Sequence, residues 1–214
     1  MNTASVKKIS FKEQQLIVRE HAILDAVNRL LAAKGFDLMT LDEVALDVGI
    51  AKASVYKHFQ SKEELASAAM TRMLQDALEV MEALDPAAAP LDKLKALVRW
   101  GIATHLAGQM PMLPSTRSSI RQALTAYEPY MERLIKVSEM FGQWINQARE
   151  DQVLSSSLPA EAILYTVFAR CCDPVGDFLK ESGAYTDEQI VEILIEICFE
   201  GFVARTTPPI APGA

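Results

Sequence analysis

Between Gly49 and Lys62 the chain reads G-I-A-K-A-S-V-Y-K-H-F-Q-S-K, with three lysines, two serines, a tyrosine, a histidine and no carboxylate. These side chains suit phosphates and base edges. Ammonium groups and hydroxyls bind phosphate oxygens, and short side chains let a helix approach bases closely. Their spacing orders them. At about 100° per residue, Val55 and Phe59 lie one turn apart and define a buried side. Ala53 and Lys57 then point almost opposite, flanked by Ser54 and Tyr56, while Lys52 opens this helix and Lys62 the next.

The elements that must hold these residues are also legible. Thr40-Leu41-Asp42-Glu43 is a capping box, in which the Thr40 hydroxyl and the Glu43 carboxylate satisfy free N–H groups of a first helical turn. Val44, Ala45 and Val48 share one face of that helix, and Gly49 stands where a helix ends in a left-handed residue. A second helix restarts at Ala51-Lys52 and runs to Phe59. Helix, tight glycine turn and short helix make a helix-turn-helix, whose second helix enters the DNA major groove. From these residues alone the alternative is a solvated lysine face on an ordinary helical hairpin, since the same geometry occurs in proteins that bind no DNA.

Residues 49–65, G-I-A-K-A-S-V-Y-K-H-F-Q-S-K-E-E-L, resemble the DNA-binding signature of the TetR family of bacterial transcriptional regulators. Gly49, Ser54, Val55, Tyr56, His58, Phe59, Ser61, Lys62, Glu63 and Leu65 match its pattern. The run Ile23 to Lys34, then Gly35-Phe36 and Thr40, is similar to the family's first helix and its exit. Two positions depart. Ala51 replaces the usual hydroxyl cap, which weakens that helix start by about 1 kcal/mol, and Ala53 stands where the family often has glycine. The resemblance implies DNA contacts from Thr40, Lys52, Ala53, Ser54, Tyr56, Lys57, His58 and Lys62. Ser54, Tyr56 and Lys57 would face bases or nearby phosphates. Lys52, His58 and Lys62 would mainly contact phosphates, and Thr40 would add a contact at its helix N-terminus. Lys7, Lys8 and Lys12 read as solvated lysines or as an arm along the duplex.

Composition fits a regulator better than a polycationic coat protein. The chain has 214 residues, half of them hydrophobic, and a formal net charge of −7. Residues 1–65 hold nine Lys+Arg and nine Asp+Glu, so the whole −7 lies beyond the lysine cluster. A neutral head with local lysines suits selective binding. MNTASVKKISFKEQQ contains no apolar run of signal-peptide length, no stretch approaches a membrane span, and three cysteines do not suggest a secreted disulfide framework. The expected location is the cytoplasm. No G-x-S-x-G, H-E-x-x-H, phosphate-binding loop or Cys/His metal spacing is present, so neither an enzyme, a cofactor nor a metal is expected.

Prolines and caps divide the remainder into helices, giving an all-α fold of about nine. A helix from Ser61 to Leu84 starts in a second box, Ser61-Lys62-Glu63-Glu64, and ends at DPAAAP. Further helices cover residues 91–109, 115–126, 129–150 and 159–180, with a kink at Pro174. The last, opened by Thr186-Asp187-Glu188-Gln189, reaches about Arg205. The expected domains are a helix-turn-helix head (1–65), a larger helical effector-binding and dimerisation domain (66–205) and a disordered tail (206–214).

Two features of the body bear on function. The last helix is apolar around more than one face, with Glu188, Glu192, Glu196 and Glu200 on the remaining side. Such a helix either packs on a second subunit or lies deeply buried in a monomer. The resemblance favours a homodimer through the last two large helices (about 159–180 and 186–205), reading a palindromic operator in double-stranded DNA. Trp100, His105, Tyr127, Phe141, Trp144, Tyr165 and Phe168 lie on helices that in this family enclose a small-molecule cavity, and aromatic walls suit one. At helical spacing they equally suit plain core. The combined expectation is a dimeric, ligand-responsive repressor with an unknown effector. Its alternatives are an architectural DNA-binding dimer without effector, and a helical carrier or enzyme with a vestigial head.

Overall fold

The computed structural model describes residues 10–111 and 119–201. Among them lie ten helices: α1 (Phe11–Leu38), α2 (Leu41–Val48), α3 (Lys52–Val55), α4 (Lys62–Ala83), α5 (Pro90–Leu106), α6 (Arg121–Ala126), α7 (Glu128–Glu150), α8 (Ala160–Arg170), α9 (Pro174–Glu181) and α10 (Asp187–Glu200). The all-α expectation holds. The tenth helix arises because the segment expected to kink at Pro174 is broken there. Asp173, preceding the proline, is driven out of the helical region to φ −77°, ψ 119°, as the proline ring dictates. Its side chain then caps α9 by accepting from Val175 N at 3.0 Å.

The helix starts follow their caps. Thr40 and Thr186 form full boxes with Glu43 and Gln189. Ser61 forms half of one: its hydroxyl accepts from Glu64 N at 3.0 Å, but the Glu64 carboxylate accepts from Gln60 N. A further box, Ser10 with Glu13, starts α1 well upstream of Ile23. Lys12 therefore sits on a helix and not in an arm, while Lys7 and Lys8 lie outside the described residues, as do the expected helix start at Ser115, the end at Arg205 and the tail.

Two cores share helices α4 and α7. The head core joins Val27 and Leu31 of α1, Val44 of α2, Val55, Phe59 and the first turns of α4 (Leu65, Ala66, Ala69). Ile120, Leu124 and Tyr130 close it from the body side. The body core joins Ala77, Leu78 and Met81 of α4 to Leu94 and Ile102 of α5, Phe141 and Ile145 of α7, Val167 of α8, and Ile190 and Leu194 of α10. Each fully buried Leu or Ile contributes about 1.5–3 kcal/mol. The α10 helix is fastened to α5 by the Arg99–Glu192 pair at 2.9 Å and Lys95–Glu200 at 3.1 Å, which accounts for two members of its acidic stripe. Helices α5 and α8 approach closely at Gly101, where an added Cβ would lie 2.4 Å from Cys171 Sγ.

Candidate nucleic-acid interface and effector cavity

The head geometry begins at Thr40. Its N–H donates to Glu43 Oε2 at 3.0 Å, and Glu43 N donates to the Thr40 hydroxyl at 3.3 Å. The Lys34 ammonium also bonds Glu43, and with Thr40 it holds the Glu43 carboxyl at about 2. Helix α2 ends at Gly49 in the left-handed region, φ 72°, ψ 34°, and Ile50 N returns to Ala45 O at 2.9 Å. The second helix starts at Ala51 without a side-chain cap. Only Lys52–Val55 is regular α-helix. The chain then tightens, with Lys57 N donating to Ser54 O and His58 N to Val55 O, one residue short of α-helical spacing. The expected facing survives: Val55 and Phe59 are buried, Ser54 is half-buried, and Ala53, Tyr56 and Lys57 are exposed.

The basic side chains divide into two groups. The Lys57 side chain makes no ion pair or hydrogen bond among the described residues and stands exposed beside Ala53 and Tyr56. The other three have partners on distant segments. Lys52 Nζ donates to Asp42 Oδ2 at 2.8 Å, a bond that raises the pKa of its ammonium. Lys62 Nζ lies 4.4 Å from the Phe36 ring centroid and donates to Asp37 O at 3.3 Å. The His58 side chain is only 10% exposed, with Nδ1 3.8 Å from a Glu20 carboxylate oxygen. Residues 49–62 lack carboxylates, but α1 and α2 supply them across the fold.

A cavity of about 110 Å³ lies between α4, α5, α7 and α8, walled by Met70, Met73, Leu74, Leu97, Trp100 and Phe141 among others. Its lining is almost entirely apolar. Of the residues expected to line it, the structure brings together Trp100, Phe141 and Phe168. The other four lie elsewhere. His105 Nε2 is 3.1 Å from the Asp177 carboxylate, Tyr127 packs against the head core, Trp144 stacks at a tilt on Phe141 from outside the cavity, and Tyr165 is 69% exposed. The missed contributors include Met70, Met73, Leu74, Tyr130 and Leu134. The first three belong to α4, whose apolar positions are indistinguishable in sequence from core.

Residues 23–69 match the family described as bacterial regulatory proteins, tetR family. The chain carries a TetR-family N-terminal domain. Over 86 residues it is 34% identical to the HTH-type transcriptional regulator BetI of Rhizobium meliloti, covering 38% of this chain and 41% of BetI. The chain thus spans about two fifths of that relative's length. Whole-chain likeness comes from solved structures. The transcriptional regulator FadR of Bacillus subtilis, in complex with stearoyl-CoA, superposes with TM-score 0.63 at 15% identity, over 86% of this chain and 99% of that one. AibR, in complex with isovaleryl coenzyme A and operator DNA, gives 0.61 at 22%, over 86% and 100%. At these identities the likeness is one of fold.

The TetR-family match ends at Leu65 plus one further turn of α4, so it takes in Thr40 and residues 49–62. Among the described residues no group of three His, Cys, Asp or Glu could hold a metal ion, and no helix is long and apolar enough to cross a membrane.

Proposed function

We propose that the chain is a sequence-specific DNA-binding repressor that works as a homodimer on a two-fold symmetric operator and lets go when a small, largely apolar effector fills its cavity. The observation that carries this is the double membership of α4. Its first turns, Leu65 to Ala69, belong to the core of the TetR-type head, and its middle, Met70 to Ala77, forms one wall of the cavity. A ligand that displaces this wall tilts the helix on which the head is built. The cavity also separates this reading from an architectural dimer, which has no use for one.

Base contact falls to Ser54, Tyr56 and Lys57, with Ala53 allowing close approach. Lys52 reaches phosphate on releasing Asp42, Thr40 offers a contact at the α2 N-terminus, and Lys62 and His58 chiefly brace the head. A random-duplex selection at near-physiological salt tests the proposal. A two-fold symmetric sequence should be enriched, with half-sites about 34–36 Å apart. Lys57→Ala should relax selection within each half-site and lower the salt dependence of log K by about one. Retention of duplex without any enriched sequence, or an unaltered profile in the variant, would remove the recognition-helix assignment.

A further inference from the structure

Beside the apolar cavity lies a second, polar crevice of about 250 Å³, walled by Asp25, Asn28 and Arg29 of α1, Arg72 and Asp76 of α4, and Gln109 after α5. Positions 25, 28 and 29 share one face of α1, and 72, 73 and 76 share one face of α4. The crevice is therefore the slot between the head's first helix and the helix that joins head to body. Met73 lines both spaces, and Gln109 at the crevice adjoins Met110 at the cavity. Polar slot and apolar pocket are neighbours with one flexible thioether between them.

The polar groups of the slot do not satisfy one another. Arg29 is taken by Asp47. Arg72 is taken by Asp25 at 3.4 Å and by the His21 carbonyl at 3.3 Å. Asp76, half-buried, has no ion-pair partner within reach among the described residues, and burial raises its pKa against the opposing charge of Arg72. Asn28 is 5% exposed and lies against the slot, and its side-chain oxygen receives no hydrogen bond. A buried acceptor without a donor is uncommon in a folded chain. Among the described residues each guanidinium has a carboxylate within 4 Å, whereas Asp76 has Arg72 only as a more distant opposing charge and the Asn28 side-chain oxygen has no donor.

We infer that the effector is an amphipathic amine, whose apolar part occupies the cavity and whose protonated nitrogen sits between α1 and α4 against Asp76 and the Asn28 oxygen. The inference presupposes the effector role proposed for the cavity and adds the chemical class. Size follows from the cavity: a dry engineered void of about 150 Å³ accepts benzene, so 110 Å³ suits an apolar group on the order of five or six carbons. An ammonium in the slot would bridge α1 to α4, acting on the head directly while the tail acts on the α4 wall.

The test compares n-hexylamine, n-hexanol and n-hexanoate on the full chain carrying Trp144→Phe, read by the fluorescence of the remaining Trp100 in the cavity wall. The amine is protonated at neutral pH, and it should bind about tenfold or more tighter than the alcohol. Asp76→Asn, which removes a half-buried charge without changing shape, should bring the amine down to the alcohol while leaving the alcohol unchanged. Equal binding of amine and alcohol by the chain with Asp76 in place would overturn the amine assignment and leave the cavity's effector role standing. Preference for hexanoate would overturn it in favour of an anion at Arg72. No binding of any of the three up to tens of millimolar (about −2 to −3 kcal/mol) would overturn the effector role and the amine with it.

Discussion

Lys52 donates to Asp42 at 2.8 Å, so one of the three lysines that mark the head in sequence is partly neutralised by the helix before it. The pair is exposed and weak, and a phosphate oxygen can replace the carboxylate, but Asp42 still repels the incoming backbone. Asp42→Asn should therefore tighten binding to any duplex by about three- to tenfold at low salt, an advantage that fades as salt screens it. Equilibrium binding at several salt concentrations checks both parts. Cys171 and Cys172 are adjacent thiols at the end of α8. Burial pushes the Cys171 thiol up to about 12, so the protonated form persists throughout the ordinary pH range and the nucleophilic thiolate is scarce. Iodoacetamide at pH 8 should leave Cys171 unmodified in the folded chain and modify it after denaturation. Peptide mass spectrometry would show this, and labelling of the native chain at the rate of a free thiol would contradict the raised pKa of Cys171.

At the scale of the element, local signals are legible in the sequence and partners across the fold are not. The boxes at Thr40 and Thr186, the turn at Gly49 and the missing cap at Ala51 are all contained in four or five consecutive residues, and the structure shows each. His58 and Lys62 face Glu20 and Phe36 because α1 packs beside them, which no local spacing reveals. The cavity fell between these cases. Trp100, Phe141 and Phe168 are large enough to attract notice, whereas Met73 and Leu74 differ from core residues only in facing a gap. Two substitutions follow from element geometry. Ala51 has the extended backbone of an N-cap, φ −70°, ψ 141°, but no hydroxyl. Ala51→Ser should add about 1 kcal/mol, seen as a higher denaturant midpoint at unchanged slope. Gly101→Ala should do the opposite. Its Cβ would meet Cys171 Sγ at 2.4 Å and Cys171 Cβ at 2.8 Å, so α5 and α8 must part at a cost of about 1–3 kcal/mol. Cys171→Gly in the same chain should recover most of that loss, and no recovery would mean the strain lies elsewhere.

At the scale of the whole molecule, α8 and α9 leave apolar side chains uncovered among the described residues. On α8, Ala162, Tyr165, Thr166 and Ala169 share an exposed face, and Val175 and Phe178 of α9 are exposed as well. Tyr165 and Phe178 are 69% and 67% exposed. By contrast, Ile190, Val191, Leu194 and Ile195 of α10 are buried in their own chain, so α10 has less apolar surface to offer a partner than its composition suggests. We therefore place the proposed self-association chiefly on α8 and α9, with α10 bracing them from behind through α5. A repressor of this plan needs that contact for more than assembly. A single head carries one exposed, unpaired lysine in its recognition segment, and selectivity comes from holding two heads at a fixed separation. Joining them makes the second binding event intramolecular and raises the overall affinity about 10²–10⁴-fold. Tyr165→Asp with Phe178→Asp puts charges at two largely exposed positions, so folding should survive with little change in thermal midpoint. Light scattering should report a monomer, and affinity for the selected operator should fall by two to four powers of ten while the weak, salt-sensitive binding of one head to random duplex persists. A dimer that withstands both charges would move the interface away from α8 and α9, and a monomer that still binds the full operator at undiminished affinity would show that the heads do not act as a pair.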